Sequence, residues 1–234
     1  MSRLAATIRF DAKLQLRYGF YYAGAFVAIV WLLVLGQLSS TAVAFILPPL
    51  LLENLLITTF YFIAGLVLLE KGEGTLEGLV VTPLRTGEYL TSKMVTLTFL
   101  ATAENLIIVV AAHGLDFDPF LLTGGMVVLS LFYTLFGFVV IARYDSVTEY
   151  LLPSGLYTLV LTLPLIDYFG LWTHWIWYLL PTQAPLLLMK GAFEPVPTWQ
   201  IIYGLGYSLV AVAITYWWAE KTFHRFVIRR EGTR

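Results

Sequence analysis

The sequence predicts an all-α membrane protein with six transmembrane helices and short accessory helices at both surfaces. Three observations lead to this fold class: 59% of the 234 residues are hydrophobic, only 12% are charged, and the mean hydropathy is +0.80. A soluble domain carries about 25% charged residues, so this much apolar surface exceeds what a globular core of this size can bury. The excess is expected to face lipid, where backbone amides must be paired within helices.

Six segments are apolar over the roughly 20 residues that a helix needs to cross the hydrocarbon core. They cover residues 20–38, 43–69, 90–112, 119–142, 148–166 and 200–219. We number them as the first to sixth spans, and together they define a transmembrane domain of residues 20–220.

The distribution of basic residues predicts the orientation of the chain. With six spans both termini lie on one side, and that side receives every lysine and arginine except Lys190. The side rich in basic residues is cytoplasmic by the positive-inside rule. We therefore expect both termini in the cytoplasm, with a basic tail over residues 221–234.

Residues 1–19 precede the first span and are expected to form an amphipathic helix in the membrane interface. Arg9, Lys13 and Arg17 recur at every fourth position, which places three cations on one helical face toward lipid headgroups. Residues 9–17 also alternate polar and apolar side chains, a strand-like pattern. A helix is favoured because an isolated strand at a membrane surface has no partner for its backbone.

The segment between the fifth and sixth spans, residues 167–199, contains four prolines between apolar pieces too short to cross a membrane. We interpret it as short outer helices that dip toward the membrane against other spans. An ordinary external loop is the alternative.

The loop between the second and third spans is the most informative stretch. Gly72 and Gly74 permit a turn, Thr75 is a suitable N-cap, and Glu77 would complement the helix dipole in the first turn. Pro83 ends the helix because it lacks an N–H and disfavours helical geometry at the preceding residue. A short cytoplasmic helix over about residues 75–82 is therefore predicted.

This short helix would carry a small apolar ridge. Leu76, Leu79 and Val80 share one face by their i, i+3, i+4 spacing, and an exposed ridge of this kind needs a partner. A plain connecting loop folded on its own bundle is the alternative. After the proline, Thr86 is expected to cap the next helix, with Glu88 in its first turn.

The pattern Glu-x-x-x-Gly-Thr-Leu-Glu-x-Leu-x-Val-Thr-Pro-Leu over residues 70–84 resembles the signature of ABC type-2 exporter permeases. In that family the short helix is a coupling helix that docks in a groove on a separate ATP-binding subunit. The resemblance implies that some of these residues contact the ATPase and that others shape the turn. The contacting group would be Thr75, Leu76, Glu77, Leu79 and Val80, and the turn group would be Glu70, Gly74 and Pro83.

The same resemblance implies how the protein is assembled. Two permease protomers, as a homodimer or a heterodimer, would join two cytoplasmic ABC ATPase subunits that hold the ATP and Mg. This chain has no Gly-x-x-x-x-Gly-Lys-[Ser/Thr] phosphate loop, so it is expected to need a partner that hydrolyses ATP. The chain itself is expected to bind no cofactor or metal and to carry no catalytic residue. Its other partners would be membrane lipid and a small-molecule substrate, with no nucleic acid.

Three further stretches, residues 9–22, 142–154 and 183–188, resemble bacterial fluoroquinolone-export permeases. This narrower resemblance implies a bacterial plasma (inner) membrane location. It also implies export of a hydrophobic or amphiphilic, drug-like molecule, with multidrug efflux and antibiotic resistance as consequences.

Glu53 and Glu104 are acidic residues that lie well inside predicted spans. Glu53 and Glu104 are each followed by an asparagine, Asn54 and Asn105. A charge at the bilayer centre costs about 2.5–3.5 kcal/mol on insertion scales, so such residues usually face a cavity or a partner. One interpretation is a polar lining of the substrate path that attracts a cationic drug. The other is hydrogen bonding between neighbouring spans or across a dimer.

Several rival interpretations stay open. A membrane-embedded enzyme acting on lipid would use Glu53 and Glu104 as acid and base, although no third catalytic partner is visible. Two further alternatives are an exporter of a lipid or glycan, and a subunit that docks an ATPase without moving substrate. Arg143, Asp145 and Glu149, at the cytoplasmic junction of the fourth and fifth spans, are interpreted as loop ions, with contact to the ATPase as the alternative.

Overall fold

The computed structural model describes residues 3–75 and 85–225, which are mostly helical and contain no strand. The helices are α1 (Arg3–Arg17), α2 (Phe20–Leu35), α3 (Ser40–Leu55), α4 (Phe62–Gly72), α5 (Thr86–His113), α6 (Pro119–Ile141), α7 (Val147–Thr162), α8 (Pro164–Tyr168), α9 (Gln183–Gly191) and α10 (Thr198–Phe223). A π-helical stretch, Leu56–Tyr61, joins α3 to α4, and a 3-10 helix, Trp175–Leu179, lies between α8 and α9. The predicted all-α membrane fold is confirmed.

Five continuous helices in the described ranges are long and apolar enough to cross a membrane, and they correspond to the second to sixth predicted spans. They are Ser40–Gly72, Thr86–His113, Pro119–Ile141, Val147–Tyr168 and Thr198–Phe223.

The first predicted span differs from the helix that the structure contains. The helix α2 has 16 residues and is therefore about 24 Å long, shorter than a hydrocarbon core of roughly 30 Å. It reaches spanning length only together with α1, from which it is bent by 60°. Gly19 makes the bend at a φ of 81°, a conformation that glycine adopts without steric cost.

The N-terminal segment is a helix, as the sequence favoured, and one of its faces packs against α5. Asp11 and Gln15 are buried on that face, and Gln15 donates a hydrogen bond to the Thr96 hydroxyl at 2.8 Å. The exposed side carries the three predicted cations, Arg9, Lys13 and Arg17. Their proposed contact with lipid headgroups stays a prediction.

The second and fourth spans form the centre of the bundle, at 72% and 78% buried, whereas the fifth and sixth are 22% and 17% buried. The two central spans meet closely at Gly137. A Cβ at this position would lie 2.7 Å from the Ile63 side chain and 2.9 Å from the carbonyl oxygen of Phe60. Only glycine permits this approach between the two backbones.

Replacing Gly137 with alanine is expected to destabilise the fold by about 1–3 kcal/mol, because an overpacked core must shift its backbones apart. Gly124→Ala on the same helix is the matched control, since a Cβ there meets nothing within 4 Å and alanine favours a helix. Thermal unfolding of the purified chain in detergent measures both variants. The midpoint should fall only for Gly137→Ala, and equal midpoints would contradict the close packing.

The segment between the fifth and sixth spans forms short helices, and the alternative of an ordinary loop is wrong. The helix α9 is buried along most of its length and packs between α6 and α10. A Cβ on Gly125 of α6 would lie 2.8 Å from Met189, and one on Gly204 of α10 would lie 2.7 Å from Leu188. Two glycines therefore let α9 approach both the fourth and the sixth spans closely.

Candidate functional site

A buried ion cluster lies where the loop between the second and third spans leaves and rejoins the bundle. Lys93 is 1% exposed, and its Nζ donates to the Asp11 carboxylate at 2.7 Å and to the Glu70 carboxylate. The Tyr89 hydroxyl donates to Glu70 at 2.6 Å, and the Ser92 hydroxyl donates to Asp11. We call these five residues the ion cluster, and it joins α1, α4 and α5.

The charges of the ion cluster explain its hydrogen bonds. Two carboxylates share one ammonium ion, so one negative charge is in surplus when all three groups are ionised. Burying ions costs several kcal/mol each unless they are well paired and hydrogen-bonded. The hydroxyls of Tyr89 and Ser92 supply those additional donors, since hydrogen bonds to a charged acceptor are the strong ones. The three helices are therefore held as one unit.

Residues next to the ion cluster also set the conformation at the start of the loop. The backbone carbonyl of Glu70 accepts a hydrogen bond from the Thr75 hydroxyl at 3.0 Å. Gly74 has a φ of 67°, the left-handed conformation expected of a turn glycine. Tyr18, at the bend between α1 and α2, donates to the Glu73 carboxylate, and this hydrogen bond raises the pKa of the Tyr18 hydroxyl. The loop is thus tied to the N-terminal segment at its first turn.

Most of the predicted coupling helix lies outside the described residues. The assigned positions that fall there are Leu76, Glu77, Leu79, Val80 and Pro83. At the far end α5 begins at Thr86, so Arg85 is the N-cap and the prediction of Thr86 was one residue late. Glu88 explains the shift, because its carboxylate accepts a hydrogen bond from the backbone N–H of Arg85 at 2.9 Å.

A second anchor joins the end of the second span to the loop after the fourth. The Nζ of Lys71 donates to the carbonyl oxygens of Ala142 at 3.2 Å and Tyr144 at 2.6 Å. It also pairs with Asp145 at 3.2 Å. Asp145 therefore acts within its own bundle, and contact of this loop with an ATPase stays a prediction.

Three of the four polar residues assigned to the spans meet in the structure. Nδ2 of Asn54 donates to Oε1 of Glu104 at 3.2 Å and to Oδ1 of Asn105 at 3.0 Å. Nδ2 of Asn105 donates to the carbonyl oxygen of Ala101 at 2.8 Å. These contacts are the hydrogen bonds between neighbouring spans that one interpretation anticipated. Glu104 also lines a groove of about 400 Å³ between α2 and α5.

Glu53 precedes Asn54 but faces elsewhere. It lines a different groove of about 370 Å³ between the second and fifth spans, together with Tyr61 and Thr158. Successive residues of a helix point about 100° apart, which explains why neighbours in sequence face different spans. The structure therefore does not bring Glu53 and Glu104 into one groove, as the acid–base pair of a lipid-modifying enzyme would require.

Sequence reasoning missed four of the five members of the ion cluster. Asp11, Tyr89 and Ser92 were not singled out, and Lys93 was used only to assign the orientation. The available signals were an acidic residue within an otherwise basic α1 and a lysine inside the predicted third span. An ionisable residue within a span usually has a partner, so Lys93 was the stronger of the two signals.

The helices and their buried polar contacts define a multi-pass α-helical membrane protein. Its second and third spans are joined by buried ion pairs near the loop that connects them. The model of the fluoroquinolones export permease protein family matches residues 2–231. Two relatives of that name, from Mycobacterium tuberculosis strains CDC 1551 / Oshkosh and ATCC 25618 / H37Rv, are each 34% identical over 235 residues, covering 99% of both chains. The chain belongs to the fluoroquinolones export permease protein family. Membership indicates a transporter subunit of the permease type rather than an enzyme.

Proposed function

We propose that this chain is the permease subunit of an ATP-driven ABC exporter in a bacterial plasma membrane. It would move a hydrophobic or amphiphilic small molecule out of the cell, and a separate ATPase with ATP and Mg would supply the energy. Family membership supports an export permease, and the names of the two relatives support fluoroquinolones as the first class to test. The pattern over residues 70–84 supports the ATPase partner. Two permease protomers would form the working unit, with both termini in the cytoplasm.

The ion cluster is the observation that carries the mechanical part of this proposal. The loop that would dock on the ATPase follows α4, which carries Glu70 near its end, and precedes α5, which carries Lys93 about two turns from its start. These two residues bind each other, and Lys93 also binds Asp11 of α1. A displacement of the loop would therefore move α1, α4 and α5 together, whereas a loop on flexible connections would absorb the motion.

The carboxyl groups within the spans favour a substrate that carries a positive charge. Glu53 and Glu104 line separate grooves of about 370 and 400 Å³. Sites for drug-sized ligands have volumes of roughly 300–1,000 Å³. A fluoroquinolone with a basic amine has both the size and the charge that these grooves would accept.

A fluorescence efflux assay tests this function. Cells that express the chain with a candidate ABC ATPase subunit should lose a fluorescent fluoroquinolone faster than cells that express either protein alone. The control is an ATPase whose phosphate-loop lysine is replaced, which should abolish the difference. Efflux that persists without an active ATPase, or lipid turnover by the chain alone, would contradict the proposal.

A further inference from the structure

A lateral groove opens on the surface of the bundle between α2 and α5. Its volume is about 400 Å³, and its lining is hydrocarbon and aromatic apart from the Tyr21 hydroxyl and the carboxyl group of Glu104. The lining residues Ile29, Phe99 and Ile107 are 56%, 71% and 61% exposed. Because apolar residues on the outside of a span face lipid, the groove opens toward the bilayer rather than toward the centre of the bundle.

The carboxyl group of Glu104 is fixed in the wall of this groove. The residue is 7% exposed, and its Oε1 accepts a hydrogen bond from Asn54 at 3.2 Å. Asn54 is itself held by Asn105 at 3.0 Å. The position of the carboxyl group is therefore set by neighbours behind it, and one oxygen is engaged.

The other oxygen, Oε2, is buried and has no hydrogen-bond partner among residues 3–75 and 85–225. It faces Gly24 of α2, where a Cβ would lie only 2.8 Å away. Glycine at this position lets the oxygen lie there, because the Cβ of any other residue would clash with it. A buried carboxyl oxygen without a partner is unfavourable, so a ligand that donates a hydrogen bond there would be stabilised.

We propose that this groove is a lateral entry site for amphiphiles that carry a protonated amine, and that Glu104 binds the amine. The inference rests on the proposed function and adds where an exported molecule first binds. The apolar part of the ligand would lie against Ala25, Ile29 and Phe99, and its ammonium group would donate to Oε2 beside Gly24. A molecule dissolved in lipid reaches this site without passing through the cytoplasm.

A helix from a second copy of the chain is the competing occupant. The small residues Gly24, Ala25 and Ala28 along α2 would permit close helix packing. An apolar helix would, however, leave Oε2 of Glu104 without a hydrogen bond in a dry interface. The apolar part of an amphiphile fits the groove, and its ammonium group supplies the hydrogen bond that Oε2 of Glu104 lacks. The amphiphile is therefore favoured.

Binding to the full chain in lipid nanodiscs, without an ATPase, tests the site. The probes are a fluorescent fluoroquinolone with a free piperazinyl amine and its N-acetylated analogue, which lacks that charge. Glu104→Gln keeps the volume of the side chain and should weaken binding of the amine by about 10-fold or more, because a hydrogen bond to a charged group is lost. Binding of the acetylated analogue should change by about twofold or less.

A second variant tests the groove itself. Ala25 is an exposed lining residue, so Ala25→Trp fills the groove from its rim and should weaken binding of both probes by about 10-fold or more. Ala213→Trp is the matched control, because Ala213 is exposed on α10, and it should bind both probes normally. If Ala25→Trp fails to fold, Ile29→Trp at another exposed lining position replaces it.

Several results would overturn the entry site. Equal effects of Glu104→Gln on both probes would show that the carboxyl group does not bind the amine. Normal binding by Ala25→Trp would show that the ligand binds elsewhere. A loss of dimer in Ala25→Trp with normal probe binding would assign the groove to contact between copies of the chain.

Efflux with the active ATPase separates this inference from the proposed function. If the unaltered chain exports neither probe, the proposed function fails whatever the binding results are. If export of the amine probe is unchanged in both Glu104→Gln and Ala25→Trp, the entry site is wrong and the proposed function holds.

Discussion

Replacing Lys93 with methionine is expected to destabilise the fold by about 3–5 kcal/mol, the cost of removing one partner from a buried ion pair. Methionine keeps much of the volume of the lysine stem but removes the ammonium ion that binds both Asp11 and Glu70. Two carboxylates would then lie buried without their shared cation. The midpoint of thermal unfolding in detergent should fall by several degrees, and α1 should separate from α5.

Lys190→Met is the matched control for this prediction. Lys190 pairs with Glu194 at 3.2 Å, and the two side chains are 35% and 51% exposed. Exposed pairs contribute about 1 kcal/mol or less, so the midpoint should hardly move. A triple variant, Asp11→Asn with Glu70→Gln and Lys93→Met, should recover much of the loss because no unpaired charge remains. An unchanged midpoint in Lys93→Met would show that the ion cluster does not hold the helices together.

Replacing Glu77 with lysine is expected to abolish ATP-dependent export while the fold stays intact. Under the proposed function, Glu77 would lie in the first turn of the coupling helix and contact the ATPase. Losing a buried charged contact at an interface costs about 2–5 kcal/mol, roughly 30-fold to several-thousand-fold in affinity. The ion cluster is formed by Asp11, Glu70, Tyr89, Ser92 and Lys93, so we expect the contacts that hold α1, α4 and α5 to remain.

Glu194→Lys is the control for Glu77→Lys. It also reverses the charge of a single glutamate, but Glu194 lies in the segment between the fifth and sixth spans and is half exposed. Co-purification of the ATPase, ATP-dependent efflux and the unfolding midpoint are measured for both variants. Unchanged co-purification and efflux in Glu77→Lys would contradict the coupling role. A lowered midpoint would show instead that Glu77 stabilises the fold.

The two proposals make different demands on the chain. Coupling requires that the ion cluster keep α1, α4 and α5 together, and the Lys93 variant tests that requirement in the absence of any partner. Substrate entry requires only that the groove between α2 and α5 be open and that Glu104 keep one free oxygen. A variant that disrupts the ion cluster can therefore still be tested for ligand binding in the groove, and a variant that blocks the groove can still be tested for coupling.

The sequence by itself determined the second to sixth spans and their order, because each signal that specifies them is local. A run of about 20 apolar residues is stable in lipid only as a helix. The signals that start a helix are also local. Backbone N–H groups in the first turns of α3, α6 and α7 donate hydrogen bonds to the side chains of the preceding residues, Ser39, Asp118 and Ser146. The turn at Gly74 follows from glycine alone.

Only the tertiary structure decided which polar side chains meet. Lys93 is 82 residues from Asp11 and 23 from Glu70, and no periodic pattern in the sequence links residues so far apart. Glu53 and Asn54 are adjacent, yet they face different spans and belong to different sites. A helix sets the direction of each side chain about its own axis, but the neighbour found in that direction depends on how all the spans pack together.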